Sequence, residues 1–147
     1  TATVRFKMIF GVATILKRLH KNNIILVDLI DSIYLDDKLE PKIEISNLSI
    51  VSSGKTILRN EHAGKFFDSM YLITPELFDD ENGFSFSNDV FTYAIFLVLM
   101  FMDNLYICDI MKYDKLLVYM NHIEDGDRPY LRGIPPFYSK LIVNCWS

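Results

Sequence analysis

Cysteine, clustered basic residues and long apolar runs are all scarce in this chain of 147 residues. Its two cysteines, Cys108 and Cys145, are too few for a disulfide framework and fit a reducing, intracellular setting. The net charge is -4, and no group of Lys and Arg supplies the basic face that nucleic-acid binding usually needs. We therefore expect a cytoplasmic protein that does not bind nucleic acid.

The spacing of metal ligands is also missing. His20, His62 and His122 do not stand at the distances from one another, or from the cysteines, that metal motifs use. We expect His20 to be a packing residue at a helix end, and both cysteines to be buried thiols. These residues predict no metal site.

The longest apolar run is too short for a membrane span. It extends from Val90 to Met102, 13 residues interrupted only by Thr92. A membrane helix needs about 20 apolar residues, and a run of about 10–14 is more often a buried core helix. A chain of this length can bury roughly 68–70% of the surface that its unfolded state exposes. We expect a core helix here and no membrane partner.

The periodicity of the chain predicts a mainly α fold with one short β-hairpin. Apolar residues at helical spacing predict a helix from an N-cap at Thr3 to about Lys21. Short apolar runs on both sides of Asp36-Asp37 predict two strands joined by a turn. The other predicted features are an irregular loop over 50–73, a short helix opening at Pro75, an N-cap at Ser87, and helices over 116–124 and 137–145.

Several short motifs occur in a fixed order along the chain. They are Leu19-His20, Leu26-Val27-Asp28-Leu29, Ile45-Ser46-Asn47, Thr74-Pro75-Glu76-Leu77, Gly126-Asp127-Arg128-Pro129 and Cys145-Trp146. In these motifs the chain resembles, over nearly its whole length, the C-terminal lobe of a eukaryotic protein kinase, nearest to the tyrosine-kinase-like branch. The second, third and fourth motifs stand in place of HRDL, DFG and APEL. The resemblance implies a partial kinase domain over 1–147, with a catalytic-loop region at 24–35, a DFG-like position at 45–47, an activation segment at 50–76 and a core helix at 88–103.

The residues that would perform kinase chemistry are mostly replaced. Asp28 stands at the position of the catalytic base, and its alternative role is to brace the loop. Val27 replaces an Arg that pairs with a phosphorylated activation loop, and Ile30 replaces the Lys that steadies the transferred phosphate. Ile33 and Ile45 replace the Asn and Asp that bind metal, and alkyl chains cannot hold Mg²⁺, which prefers oxygen ligands.

Two framework residues of the family remain. The resemblance implies that Asp89 accepts hydrogen bonds from the backbone of the 24–35 region. It also implies a buried ion pair between Glu76 and an Arg beyond Trp146, an Arg that this chain does not contain. We expect a lobe without its N-terminal partner lobe, and an exposed apolar patch around 24–33 and Ile45.

Three functions are compatible with these residues. The first is a catalytically inactive pseudokinase or scaffold fragment that needs no cofactor and contacts proteins, either the missing N-terminal lobe or a regulated kinase. The second is a Ser/Thr kinase in the full-length protein that transfers the γ-phosphate of ATP with Mg²⁺. The third is a phosphate-binding-loop nucleotide binder built on Ser53-Gly54-Lys55-Thr56, although Ser49 stands where that motif has its first Gly.

Overall fold

A computed structural model describes residues 2–26, 29–45, 50–51, 74–75, 84–102 and 121–147. In these residues the chain is mainly helical, as the sequence predicts, and carries two small antiparallel strand pairs, of which the sequence predicts one. Residues 121–124 are helical as well, and the rest of the helix predicted over 116–124 lies outside the described residues. The elements are α1 (Ala2–Lys21), β1 (Ile24–Ile25), β2 (Ile33–Leu35), β3 (Pro41–Ile43), β4 (Ile50–Val51), α2 (Phe86–Phe101) and α3 (Pro136–Cys145).

Helix α1 presents one apolar face to the core. The buried residues recur at helical spacing from Met8 to Leu19. The helix begins at Ala2, so the predicted N-cap Thr3 lies inside it, which corrects that detail. The end at Lys21 is as predicted, because Asn23 adopts a left-handed conformation with φ of 58°, which Asn tolerates better than most residues.

The predicted hairpin is present as β2 and β3. The two strands are antiparallel, with Ile33 opposite Ile43 and Leu35 opposite Pro41. Asp36 closes the connection, since its Oδ1 accepts the backbone N–H groups of Lys38 at 3.0 Å and Glu40 at 2.9 Å. The bond from the Glu40 N–H is the main cause that lowers the pKa of Asp36, because it stabilises the carboxylate.

A second strand pair was not predicted. Ile24 and Ile25 of β1 lie opposite Val51 and Ile50 of β4 in an antiparallel arrangement. The expectation of an irregular loop from residue 50 is therefore wrong at its first two residues, and residues 52–73 lie outside the described residues. The pairing ties the segment after α1 to the segment after the hairpin.

Helix α2 is the centre of the core, as the apolar run predicts. Its side chains from Phe91 to Leu99 are all buried. The helix begins at Phe86 with Ser85 as N-cap, so the predicted cap at Ser87 is wrong by two residues. Asn88 completes a capping box, because its side chain accepts the N–H of Ser85 while the Ser85 hydroxyl accepts the N–H of Ser87. None of the helices in the described part of the chain combines the length and hydrophobicity that a bilayer crossing requires.

Helices α1 and α3 pack on α2. The phenol of Tyr93 on α2 donates to the carbonyl of Ile9 on α1 at 2.9 Å, and burial raises the pKa of Tyr93 to about 12. On the other side, Ile142 of α3 joins the same core cluster and is fully buried. Helix α3 starts at Pro136, where a proline fits because the first helical turn needs no N–H donor there. The last helix is thus confirmed to within one residue.

Candidate functional site

A buried carboxylate connects the ends of three segments. Asp89 lies in the first turn of α2 and its side chain is fully buried. Its Oδ2 accepts the backbone N–H of Leu26 at 2.9 Å and lies 2.8 Å from Nε2 of His20. A carboxylate only accepts hydrogen bonds, so the imidazole N–H donates. Burying a carboxylate is costly unless it is paired in this way, and these contacts supply the pairing.

The expected bond between Asp89 and the backbone of the 24–35 region is therefore present. Leu26 directly follows β1, and its side chain is buried in the core. The contact fixes the chain at the point where it leaves β1, next to residues 27 and 28. Val27 and Asp28 themselves lie outside the described residues, as does Glu76. No geometry bears on those three positions.

His20 was expected to pack at a helix end, and it does so in the last turn of α1. The sequence interpretation missed its hydrogen bond to Asp89. In the structure it bridges the last turn of α1 to Asp89, and its ring lies 4.7 Å from that of Phe86. The signal that could have found it is the Leu19-His20 pair within the motif series, because the same resemblance already assigned Asp89 a bonding role.

The three isoleucines at the expected phosphate and metal positions do not form one cluster. Ile30 and Ile33 are half-buried and pack against the main core cluster. Ile45 lies two residues beyond β3 and is 58% exposed. None of these side chains carries an oxygen or a nitrogen. Among the described residues, no three His, Cys, Asp or Glu side chains come together as a metal-binding group.

The apolar patch expected around 24–33 and Ile45 is confirmed at Ile45, which is 58% exposed, and is wrong for the described residues of 24–33, where no apolar side chain is exposed. Ile25, Leu26 and Leu29 are buried, because β1 and the turn after it fold into the core rather than over its surface. On the hairpin and just after it, four apolar side chains are exposed. They are Tyr34, Leu35, Leu39 and Ile45, which we call the hairpin patch.

Helix α1 contacts the β2–β3 hairpin through Lys7 and Gly11. The ammonium group of Lys7 donates to the carboxylate of Glu40, and both side chains are partly exposed. One turn along α1, Gly11 lies against Pro41 so closely that a Cβ at position 11 would overlap the proline ring. The glycine therefore allows the hairpin to approach the helix backbone.

A second constellation surrounds the end of α3. The guanidinium of Arg128 lies 5.1 Å from the ring centre of Phe91, and the Trp146 ring is 6.3 Å from the same phenylalanine. These residues line a cavity of about 430 Å³ together with Pro75 and Cys145. The indole N–H of Trp146 is buried and meets no hydrogen-bond acceptor among the described residues. Cys145 is half-buried, so the expectation of a buried thiol is met only in part, and Cys108 lies outside the described residues. Partial burial raises the pKa of the Cys145 thiol, which disfavours the nucleophilic thiolate.

Comparison with known proteins adds no assignment. No protein-family model matches the chain, and no curated protein is similar to it.

Proposed function

We propose that this chain is a protein-kinase-like helical module that acts through protein contacts and does not transfer phosphate. The proposal rests on the contrast between a kept framework contact and replaced chemical positions. Asp89 bonds to the backbone of the 24–35 region, as the resemblance implies. Ile30, Ile33 and Ile45 stand where the family has a lysine and two metal ligands.

The residues that remain at these positions could supply only a small rate enhancement for phosphoryl transfer. Phosphoryl transfer depends on positioning and on charge stabilisation by metal ions and lysine. An alkyl side chain supplies neither charge nor a metal ligand. A single general base such as Asp28 contributes about 10²–10⁴-fold, well below the roughly 10⁶-fold or more that enzymes achieve. The proposed module therefore needs neither ATP nor Mg²⁺.

The hairpin patch supports a role in protein contacts. Tyr34 and Ile45 are 53% and 58% exposed, although side chains of this type usually leave water. Tyr34 and Leu35 are successive residues of β2, so they offer apolar contacts on both faces of the hairpin. Aromatic residues such as Tyr34 are enriched in protein contact surfaces. We propose a protein partner, either a kinase N-terminal lobe or a kinase that the module regulates, in the cytoplasm.

A phosphotransfer assay tests the catalytic part of the proposal. The full-length protein is incubated with radiolabelled ATP, Mg²⁺ and casein, and label is followed in both proteins. We expect no transfer by the unmodified protein. Transfer that appears only in the Ile30→Lys/Ile33→Asn/Ile45→Asp variant would support a decayed site. Transfer by the unmodified protein that Asp28→Ala abolishes would overturn the proposal in favour of a working Ser/Thr kinase.

A cross-linking experiment tests the contact part. The photoreactive amino acid p-benzoylphenylalanine replaces Tyr34 in the hairpin patch, and in a matched control variant it replaces Phe137, which is 69% exposed on α3. We expect a discrete covalent adduct in cells from position 34 and not from position 137. The same adducts from both positions, or none from position 34, would contradict a contact role for the hairpin.

A nucleotide-binding function has no structural support. Ser53, Gly54, Lys55 and Thr56 all lie outside the described residues. A binding measurement with ATP tests this alternative. Binding by the unmodified protein that is lost in Lys55→Ala would establish a nucleotide-binding function.

A further inference from the structure

We infer that the cleft between α1 and α2 binds a small amphipathic anion, namely an aromatic ring system that carries a carboxylate. The cleft has a volume of about 540 Å³. Its walls are the apolar side chains of Leu16, Phe86, Val90 and Tyr93, and Lys17 and Lys21 stand beside them on α1. The inference does not rest on the proposed function, because it involves neither the hairpin patch nor the positions of kinase chemistry. The two share only Asp89, which holds His20 on the cleft wall.

The charge of the cleft specifies an anion. Lys17 and Lys21 are exposed and lie four residues apart on α1, so their side chains are neighbours on the helix surface. Neither has an acidic partner among the described residues, where the ion pairs are made by Lys7, Lys42, His20 and His122. The chain as a whole carries 19 acidic and 15 basic residues, so this unneutralised pair departs from the overall balance.

The apolar walls specify the rest of the ligand. Basic residues are favourable at any helix C-terminus, so the lysines by themselves define no ligand. Here they adjoin an apolar cleft that is within the size range of small-molecule sites, about 300–1,000 Å³. Val90 on its wall is 37% exposed, although it belongs to the helix that forms the core. The apolar body of such a ligand would cover Val90, and its carboxylate would pair with Lys17 and Lys21.

The cleft is also rigid on one side. The ring of His20 lies 4.7 Å from the ring of Phe86 and is held by its hydrogen bond to buried Asp89. A wall that is already fixed loses little conformational entropy when a ligand binds. A rigid aromatic ring likewise loses less than a flexible chain, which is why we assign a ring system to this site.

Calorimetric titration with 2-naphthoate tests the inference on the full chain. We expect one saturable site per chain with a dissociation constant below about 1 mM. The neutral analogue 2-naphthamide has the same ring system without the charge, and we expect it to bind at least about tenfold more weakly. Absence of saturation by 2-naphthoate up to about 10 mM, tenfold above that limit, would overturn the inference.

Charge-reversal variants locate the binding. Lys17→Glu/Lys21→Glu should weaken 2-naphthoate binding by about tenfold or more. The matched variant Lys38→Glu/Lys140→Glu reverses the same number of exposed charges outside the cleft and should stay within about twofold of the unmodified protein. Ala13 lines the cleft, so the larger side chain of Ala13→Phe should fill it and prevent 2-naphthoate from binding. Circular dichroism melting checks that each variant is folded, and equal losses in the two charge variants would overturn the assignment.

Discussion

Helix α2 and the β2–β3 hairpin are both rich in large apolar residues, yet they are exposed very differently. Every side chain of α2 from Phe91 to Leu99 is buried. Tyr34, Leu35 and Leu39 of the hairpin are 53%, 40% and 47% exposed. Helix α2 lies between α1 and α3, whereas the hairpin rests on α1 through Lys7 and Gly11. The position of an element in the fold, rather than its content of apolar residues, therefore determines how much of each side chain is buried.

The largest expected effect contrasts one leucine from each region. Leu97 on α2 is fully buried, so Leu97→Ala removes packed methyl groups and leaves a cavity. We expect the free energy of unfolding to fall by about 2–5 kcal/mol. Leu35→Ala in the hairpin should cost less than about 1 kcal/mol, because much of that side chain is already solvated. Urea denaturation measures both values, and similar losses would refute the contrast.

The next effect concerns the polar contact that links α2 to the rest of the chain. Asp89→Ala removes the acceptor for the Leu26 N–H and the partner of His20, so we expect a loss of about 3 kcal/mol. Asp37→Ala changes an exposed aspartate of the hairpin turn and serves as the control, with little effect expected.

A double-mutant cycle with His20→Ala sharpens the result. The two changes should be clearly non-additive, because the residues share one hydrogen bond. Additive losses in urea denaturation would mean that the contact between His20 and Asp89 contributes nothing of its own.

The third effect concerns how the hairpin is seated. Gly→Ala inside a helix normally stabilises by roughly 0.5–1 kcal/mol. At Gly11 we expect the opposite sign, a loss of about 1–3 kcal/mol, because the new methyl group overlaps Pro41. In a Pro41→Ala background the overlap is relieved and Gly11→Ala should be neutral or stabilising. A gain in thermal stability for Gly11→Ala alone would show that the hairpin does not approach α1 this closely.

The smallest effect distinguishes the two candidate caps of α2. Ser85→Ala should cost about 1 kcal/mol, because the Ser85 hydroxyl accepts a backbone N–H at the helix start. Ser87→Ala should change little, since Ser87 lies within the first turn and its hydroxyl does not cap the helix. Thermal melting followed by circular dichroism measures both. A larger loss for Ser87→Ala would restore the cap that the sequence predicts.

Local signals account for what the sequence could predict. The periodic apolar face of α1, the continuous apolar run of α2 and Pro136 at the start of α3 each act within one element. The hairpin was predictable because Asp36 sits between its strands and closes the turn. The prediction of a cap at Ser87 failed because it used the serine nearest the apolar run, whereas Ser85 stands three residues before its capping-box partner Asn88.

Contacts between distant segments explain what was missed. Strands β1 and β4 have two residues each and lie far apart in the chain, so no periodic pattern in the sequence predicts that they pair. His20 and Asp89 are separated by 69 positions, and only the resemblance suggested that Asp89 had a partner of any kind. The apolar patch was expected to include 24–33 because burial of Leu26 and Leu29 depends on how the segment after β1 packs into the core cluster.

Helix α1 carries two attachments whose angular positions must agree. Gly11 faces the hairpin, and His20 reaches Asp89 from the last turn of the same helix. Each residue advances an α-helix by about 100° and 1.5 Å, so the segment from Gly11 to His20 sets the orientation of one contact against the other. Deleting one residue there would rotate His20 away from Asp89 or place a side chain against Pro41. The number of residues between these two positions is therefore under a stricter constraint than the identity of most residues that fill it.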